Sequence, residues 1–230
     1  MNKIAVFDLD GTLLDTLDDL TASVNFSLAG SGFPVKTREE VRKAVGHGIR
    51  NLIDRSVPEG TDPETAAKVF GDFKAHYSEH SADRTAAYPG VTSMLLKLRL
   101  SGVRIGVLSN KADGPVQTLM RTYFPGLIDL AAGEKPGVPK KPDPEGFRLL
   151  VNELAAAFFA SGPDRPEPAP EVWYIGDSDV DVATARNAGA NAIFADWGFR
   201  TRQDLVRAGA GEQEIVSSTE EMLTRLLKEE

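Results

Sequence analysis

Residues 4–12 read IAVFDLDGT, four apolar residues followed by two aspartates that are separated by one leucine. An unbroken apolar run of this kind predicts a strand buried on both faces, as in a parallel sheet. Residues two apart at a strand end project to the same side, so we expect the Asp8 and Asp10 carboxylates to converge. Gly11 permits a tight turn there, and Thr12 adds a hydroxyl donor. Taken alone, the pattern is as typical of an acidic surface turn as of a functional site.

Further apolar runs alternate with helical patterns along the chain. The predicted strands lie at Val103–Leu108, Val172–Ile175 and Ala192–Phe194, with a weaker run at Leu127–Leu130. Helix starts are predicted at three capping patterns, Asp143-Pro144, Thr201–Asp204 and Ser218–Glu221. Strands that alternate with helices predict an α/β fold, a doubly wound parallel sheet of the Rossmann-like type.

One segment contains no convincing strand and interrupts this alternation. Its helical signals are the spacing of Leu17, Leu20, Val24 and Leu28, the capping box Thr37-x-x-Glu40, and a helix from Asp62-Pro63 with Ala66, Phe70, Phe73 and Tyr77 on one face. Such patterns predict an all-helical domain inserted into the sheet domain. We place the insert at 15–84, with the sheet domain formed by 1–14 and 85–230. The proline-rich segment 161–170 predicts an extended surface loop.

A second acidic motif follows the run at Val172–Ile175, where the sequence reads GDSDVD at 176–181. Ligands of open parallel sheets bind at the carboxyl ends of the strands, so we expect Asp177 and Asp181 to join the two earlier aspartates. Carboxylates crowded together favour a cation, and oxygen ligands without His or Cys indicate Mg²⁺. Asp179 is interpreted only as an acid that favours a helix amino terminus.

Two further elements supply groups that suit an anion. Ser109-Asn110-Lys111 follows the run at Val103–Leu108, where a hydroxyl and backbone N–H groups form a cradle for phosphoryl oxygens. Lys141 precedes Pro142, which holds it extended, and its ammonium would balance the charge of Asp8 and of a phosphate. Lys135 and Lys140 are interpreted as solvated loop residues.

Composition excludes several classes of protein. The chain has no cysteine, which excludes disulfides and thiolate metal sites, and its net charge of -8 does not suit a nucleic-acid binder. The first residues lack the apolar run of a signal peptide, and no run is long enough to span a bilayer. We therefore expect a cytoplasmic protein without a nucleic-acid or membrane partner. The motifs, rather than the composition, indicate a small phosphorylated metabolite as its partner, and the protein is expected to be a monomer or homodimer.

These elements, in order, resemble the four motifs of the haloacid dehalogenase superfamily. The matching residues are Asp8-x-Asp10-Gly-Thr, Ser109-Asn110-Lys111, Lys141-Pro-x-Pro and Gly176-Asp177-Ser178-x-x-Asp181. The resemblance covers nearly the whole chain, and the helical insert is similar to that family's C1 cap. Within the family, the sequences VGHGIR at 45–50 and YPGV at 88–91 resemble the phosphoglycolate phosphatases.

The resemblance implies a magnesium-dependent phosphatase. Asp8 would form an aspartyl-phosphate, and Asp10 would protonate the leaving group and then activate water. The implied metal ligands are Asp8, the Asp10 carbonyl and Asp177, with Asp181 as a second-shell or water-mediated ligand. The groups implied to hold the phosphate are Gly11, Thr12, Ser109, the Asn110 backbone and Lys141.

Gly46, His47, Gly48 and Arg50 form a candidate selectivity element within the insert. The glycines would let the backbone approach a ligand, the following helix start favours an anion, and Arg50 could clamp a carboxylate. The alternative is a glycine-rich turn with Arg50 on a solvated face.

Competing functions stay open at this point. A sugar phosphomutase shares Asp8, Asp10 and the metal, although Val follows the glycine of that motif more often than Thr. A catalytically idle regulatory or binding protein could also use the scaffold. Asp10 argues against a dehalogenase and a phosphonatase, and Asp10 together with the helical insert argues against a receiver-like signalling domain.

Overall fold

The computed structural model describes residues 2–159 and 169–228, so most of the loop predicted at 161–170 lies outside the described residues. The chain divides into two compact units. The helical unit is Leu14–Ala86, and the sheet unit consists of Met1–Leu13 together with Ala87–Glu230.

Strands and helices alternate throughout the sheet unit. In chain order, the strands of both units are β1 (Lys3–Phe7), β2 (Leu14–Asp15), β3 (Ala86–Ala87), β4 (Arg104–Ala112), β5 (Leu130–Glu134), β6 (Glu171–Gly176), β7 (Asn191–Ala195) and β8 (Ile215–Val216). The helices are α1 (Leu17–Ala29), α2 (Arg38–Ala44), α3 (Ile49–Asp54), α4 (Pro63–His80), α5 (Val91–Leu100), α6 (Asp113–Tyr123), α7 (Glu145–Phe159), α8 (Asp179–Ala188), α9 (Arg202–Arg207) and α10 (Thr219–Leu227).

Six of the strands form one parallel sheet with the order β5-β4-β1-β6-β7-β8. All five residues of β1 are buried, because helices cover both faces of this central strand. Phe7 pairs with Val107 of β4 and with Ile175 of β6, so the carboxyl ends of three neighbouring strands lie side by side. The prediction of a doubly wound parallel α/β sheet is confirmed.

Two predicted element boundaries were wrong in detail. The weak run at Leu127–Leu130 is mostly a turn, and β5 starts only at Leu130, where small residues pair with β4. The apolar residues before Leu130 belong to the turn and were wrongly assigned to the strand. The first hydrogen bond to β4 comes from the backbone N–H of Asp129, which donates to the Ile105 carbonyl. Helix α7 begins at Glu145 instead of Pro144, and the Asp143 carboxylate accepts the Glu145 N–H at 2.9 Å.

The helical unit consists of α1–α4, with β2 and β3 pairing at its two ends. Thr37 and Glu40 form the predicted capping box of α2, and Asp62 caps α4. On α4 the buried residues are Ala66, Val69, Phe73 and Tyr77. Phe70, predicted to share that face, is only half-buried, and the Arg50 guanidinium lies over its ring at 5.3 Å.

A buried carboxylate fixes the returning end of the helical unit. Asp19 is 2% exposed and accepts the backbone N–H groups of Arg84 and Thr85 as well as the Thr85 hydroxyl. Such charge-assisted bonds are among the strong hydrogen bonds of proteins. Among the described residues, no helix combines the length and the apolar character needed to cross a membrane.

Candidate active site

The sheet brings three of the sequence-predicted elements to one edge. Asp8 directly follows β1, and its backbone N–H donates to the Ile175 carbonyl of β6 at 2.7 Å. Asp177 directly follows β6, and Ser109 to Lys111 lie in the last part of β4, where the pairing with β5 becomes irregular. This edge is where ligands of open parallel sheets bind.

The Asp8 carboxylate is almost completely buried and lies 2.8 Å from the Lys141 ammonium. Burial and the nearby Asp181 charge raise the pKa of Asp8 to about 7, against the lowering effect of Lys141. A buried carboxylate with one cationic partner is held in a single orientation, at the end of a rigid strand.

Asp177 is fully buried, and both of its oxygens are bonded. Thr12 donates its hydroxyl to Oδ1 at 2.8 Å, and the Phe199 N–H donates to Oδ2 at 2.6 Å. Burial, together with Asp181 and Asp8, raises the pKa of Asp177 well above its usual range. Asp177 is therefore held rigidly in a site where its negative charge lacks compensation.

Two glycines make room for that carboxylate. Gly11 has φ +92°, and a Cβ there would lie 2.7 Å from the Asp177 carboxyl carbon. A Cβ on Gly198 would lie 2.5 Å from the Asp177 Cβ and would also collide with the Gly11 carbonyl. The backbone on both sides thus packs directly against Asp177, with no space for a side chain.

Asp181 accepts hydrogen bonds from several residues of the site. Its Oδ1 accepts from the Lys141 ammonium at 2.8 Å and from the Tyr174 hydroxyl at 2.7 Å, while its Oδ2 accepts from the Ser178 N–H and hydroxyl. Burial opposes its ionisation, but Lys141 and these donors prevail and lower the pKa of Asp181. The pKa of the buried Tyr174 is raised well above its usual range, so its hydroxyl keeps its proton.

Three of these carboxylates could hold a metal ion. Oxygen atoms of Asp8, Asp177 and Asp181 lie within 4.8 Å of one another. With Asp10, the four carboxylates face two ammonium groups, Lys111 and Lys141, so full ionisation of the carboxylates would leave a surplus of two negative charges. A divalent cation would neutralise that surplus, and hard oxygen ligands suit an ion of this kind.

The Asp10 carboxylate lies outside this group of three and forms an ion pair with Lys111 at 2.8 Å. The Lys111 side chain is only 6% exposed, so the pair is shielded from solvent. Sequence reasoning assigned no role to Lys111, although it stands next to two predicted phosphate-binding residues. The position of Lys111 was the signal that could have revealed its role, since a lysine at the end of a buried strand needs a buried partner of opposite charge.

The groups predicted to bind phosphate have additional structural partners. Ser109 accepts the Lys111 N–H on its hydroxyl at 3.1 Å, and the Thr12 hydroxyl proton is engaged by Asp177. Asn110 uses its side-chain amide to bond the backbone of Lys141. Phosphate binding by Gly11, Thr12, Ser109 and Asn110 stays a prediction, which for Thr12 would depend on its backbone N–H.

The candidate selectivity residues lie in the helical unit. Gly46 and Gly48 have φ values of +124° and +84°, with His47 between them, and Gly48 precedes α3. Arg50 is half exposed and pairs with Asp54 one turn along α3, at 3.0 Å. Substrate recognition by these residues stays a prediction.

Comparisons with known proteins agree with this arrangement. The sequence model of the haloacid dehalogenase-like hydrolase family matches residues 5–195. The chain is 34% identical over 199 residues to the phosphoglycolate phosphatase of Cereibacter sphaeroides, covering 85% of each protein. It is 30% identical over 220 residues to the phosphoglycolate phosphatase of Rhodospirillum rubrum, covering 91% of this chain and 86% of that protein.

A solved structure from Lactobacillus delbrueckii subsp. bulgaricus has the same fold. The two structures superpose with a TM-score of 0.88 over 99% of each chain, at 31% sequence identity. That protein is itself only provisionally assigned as a phosphoglycolate phosphatase.

Proposed function

The chain belongs to the haloacid dehalogenase-like hydrolase family, and we propose that it is a magnesium-dependent phosphatase that hydrolyses 2-phosphoglycolate. The observation that carries the proposal is the buried Asp8 carboxylate, fixed by Lys141 at 2.8 Å beside Asp177 and Asp181. The two relatives above, both phosphoglycolate phosphatases, support the choice of substrate.

Asp8 and Asp10 carry the chemistry in this proposal. An Asp8 oxygen attacks the phosphorus in line, the bond from phosphorus to the substrate oxygen breaks, and Asp10 gives its proton to the departing alkoxide. Water then attacks the aspartyl-phosphate, Asp10 takes a proton from that water, and phosphate leaves with the Asp8 carboxylate restored. Lys111, whose ammonium lies 2.8 Å from Asp10 Oδ1, stabilises the Asp10 carboxylate that remains once its proton has been given to the alkoxide.

The phosphate oxygens need positive charge in a protein with a net charge of -8. Lys141 supplies it at the nucleophile, and Ser109 with the Asn110 backbone offers further donors. Mg²⁺, held by Asp8, Asp177 and the Asp10 carbonyl, with Asp181 behind them, would supply charge that offsets the repulsion between the nucleophile and the phosphate.

Arg50 is proposed to bind the carboxylate of the substrate. Its present partner, Asp54, forms an exposed pair one helical turn away, and pairs of this kind contribute only about 0.3–0.5 kcal/mol. Exchanging Asp54 for a substrate carboxylate would therefore cost little. The contact with Phe70 at 5.3 Å limits the positions that the guanidinium can take.

Phosphate release from 2-phosphoglycolate, with and without Mg²⁺, tests the function. We expect Mg²⁺-dependent turnover that Asp8→Asn abolishes without loss of the folded structure, since that change removes the nucleophile. An Asp8→Asn protein within tenfold of wild-type activity would contradict the assignment. Incubation with sugar phosphates separates the phosphomutase alternative, which yields an isomerised sugar phosphate in place of free phosphate.

We propose that the protein works in the cytoplasm as a monomer or homodimer. A phosphate ester that also carries a carboxylate is multiply charged and does not cross a lipid bilayer unaided, so its hydrolysis belongs in the compartment that produces it.

A further inference from the structure

The Lys141 ammonium has three N–H donors, and the site supplies three acceptors for them. They are Asp8 Oδ1 at 2.8 Å, Asp181 Oδ1 at 2.8 Å and the Tyr174 hydroxyl at 3.1 Å. The side chain is 4% exposed, so these partners replace water around it. A fully bonded, buried ammonium cannot rotate freely.

The Lys141 backbone is held as well. The Asn110 side chain donates its amide N–H to the Lys141 carbonyl at 3.0 Å and accepts the Lys141 N–H on its oxygen at 2.9 Å. One side-chain amide thereby pairs with both polar groups of a single residue, as a neighbouring strand would. Because Asn110 lies on β4, the loop that carries Lys141 is tied to the sheet.

Tyr174 takes no part in the chemistry described above, yet its hydroxyl is central to this network. It accepts from Lys141 and donates to Asp181, and thus bridges the ammonium and one of its two carboxylate partners. The ring is fully buried on β6 and packs edge-to-face with the Phe147 ring, whose centroid is 5.5 Å away. The hydroxyl therefore occupies a fixed position that a rigid strand determines.

A difficulty for Lys141 arises when substrate binds. Asp8 must release its bond to the ammonium in order to attack phosphorus, and a phosphoryl oxygen takes the vacant position. During that exchange, only Tyr174 and Asp181 hold the ammonium, while Asn110 holds the backbone. Loss of one of these contacts would let the charge shift from the place where the transition state needs it.

We propose that Tyr174 and Asn110 are positioning residues, which hold the Lys141 ammonium at the phosphoryl group while Asp8 leaves it to act as nucleophile. The inference rests on the proposed function, because Lys141 has this task only in a phosphatase.

Tyr174→Phe tests the hydroxyl, since the ring and its packing remain. We expect kcat/KM for 2-phosphoglycolate to fall by about 10–100-fold, the range for a hydrogen bond to a charged group. Asn110→Ala, which leaves the Asn110 backbone in place, should produce a loss of similar size. Tyr123→Phe on α6 is the matched control, and its kcat/KM should equal that of wild type.

A double-mutant cycle with Lys141→Met separates positioning from a general structural effect. In the Lys141→Met background, we expect Tyr174→Phe to change kcat/KM by less than about threefold, because the group it positions is gone. The same cycle is also measured on the free energy of unfolding, because every folded variant gives a value. We expect Tyr174→Phe to lower the free energy of unfolding less in the Lys141→Met background than in wild type.

Equal losses from Tyr174→Phe in both backgrounds, or wild-type kcat/KM in both Tyr174→Phe and Asn110→Ala, would overturn the positioning role. A wild-type protein that hydrolyses no phosphate ester would instead refute the proposed function. The two failures are distinguished by the wild-type assay alone.

Discussion

Gly198→Ala is expected to disable the site without touching any charged residue. The new Cβ would lie 2.5 Å from the Asp177 Cβ, whereas ordinary van der Waals contact begins at 3.4 Å. Either Asp177 or the loop that follows β7 must therefore move by about 1 Å. Gly198 does not have a positive φ, so the backbone itself accepts alanine and the effect is one of space alone.

The magnitude follows from what the displacement breaks. The Phe199 N–H, one residue beyond, donates to Asp177 Oδ2 at 2.6 Å, and a shift of this size disrupts that charge-assisted bond. A misplacement of about 1 Å in a catalytic arrangement lowers the rate on the order of 100-fold. We therefore expect kcat/KM to fall about 100-fold, and the Mg²⁺ concentration that gives half-maximal activity to rise.

The assay is phosphate release as a function of Mg²⁺ concentration, together with calorimetric titration of Mg²⁺ into the metal-free protein. Gly71→Ala is a matched control, because its Cβ would meet no atom within 4 Å and its helical position favours alanine. A Gly198→Ala protein that stays within threefold of wild type at every Mg²⁺ concentration would refute the reasoning.

Three further predictions concern protons, substrate and metal. Asp10→Asn should slow single-turnover phosphorylation of Asp8 more with alkyl than with aryl phosphates, because poor leaving groups need an acid most; equal losses in rapid-quench assays would contradict that role. Arg50→Ala should raise KM for 2-phosphoglycolate by about 10–100-fold and leave p-nitrophenyl phosphate hydrolysis almost unchanged, with exposed Arg55→Ala as the control. Since burial raises the pKa of metal-free Asp8 to about 7, bound protons compete with the metal below that pH. Calorimetric Mg²⁺ affinity should therefore fall as the pH is lowered from about 8 to about 6, and a flat profile would exclude Asp8 as a ligand.

The sequence was sufficient for the four inner strands of the sheet and for the acidic residues at its carboxyl edge, whereas the two-residue edge strand β8 was not predicted. Unbroken apolar runs identify buried parallel strands, and an aspartate directly after such a run must lie at the sheet's carboxyl edge. Asp8 and Asp177 are therefore predictable from local patterns alone. The family and the phosphatase activity were inferred from the resemblance of four motifs, in a fixed order, to those of a known superfamily, and the family model matches residues 5–195.

The supporting partners could not be predicted in the same way. Tyr174 is an ordinary aromatic residue in a strand, and its hydroxyl acquires its function only from Lys141 and Asp181 in three dimensions. Gly198 lies in a loop where a glycine is unremarkable, and only the packing of Asp177 explains it. Local sequence patterns report backbone preference and burial, whereas these roles depend on contacts between residues far apart in the chain.

The long distance in sequence between contacting residues has a consequence for the chain during its synthesis. Thr12 meets Asp177 across 165 positions, and β1, every residue of which is buried, pairs with β6 from the same late part of the sequence. At a synthesis rate of about 5–20 residues per second, β1 waits roughly 10–30 seconds on the ribosome for that neighbour. During this interval an apolar strand with at least one unpaired edge is exposed to other nascent chains, so soluble yield should respond strongly to translation temperature and to chaperone supply.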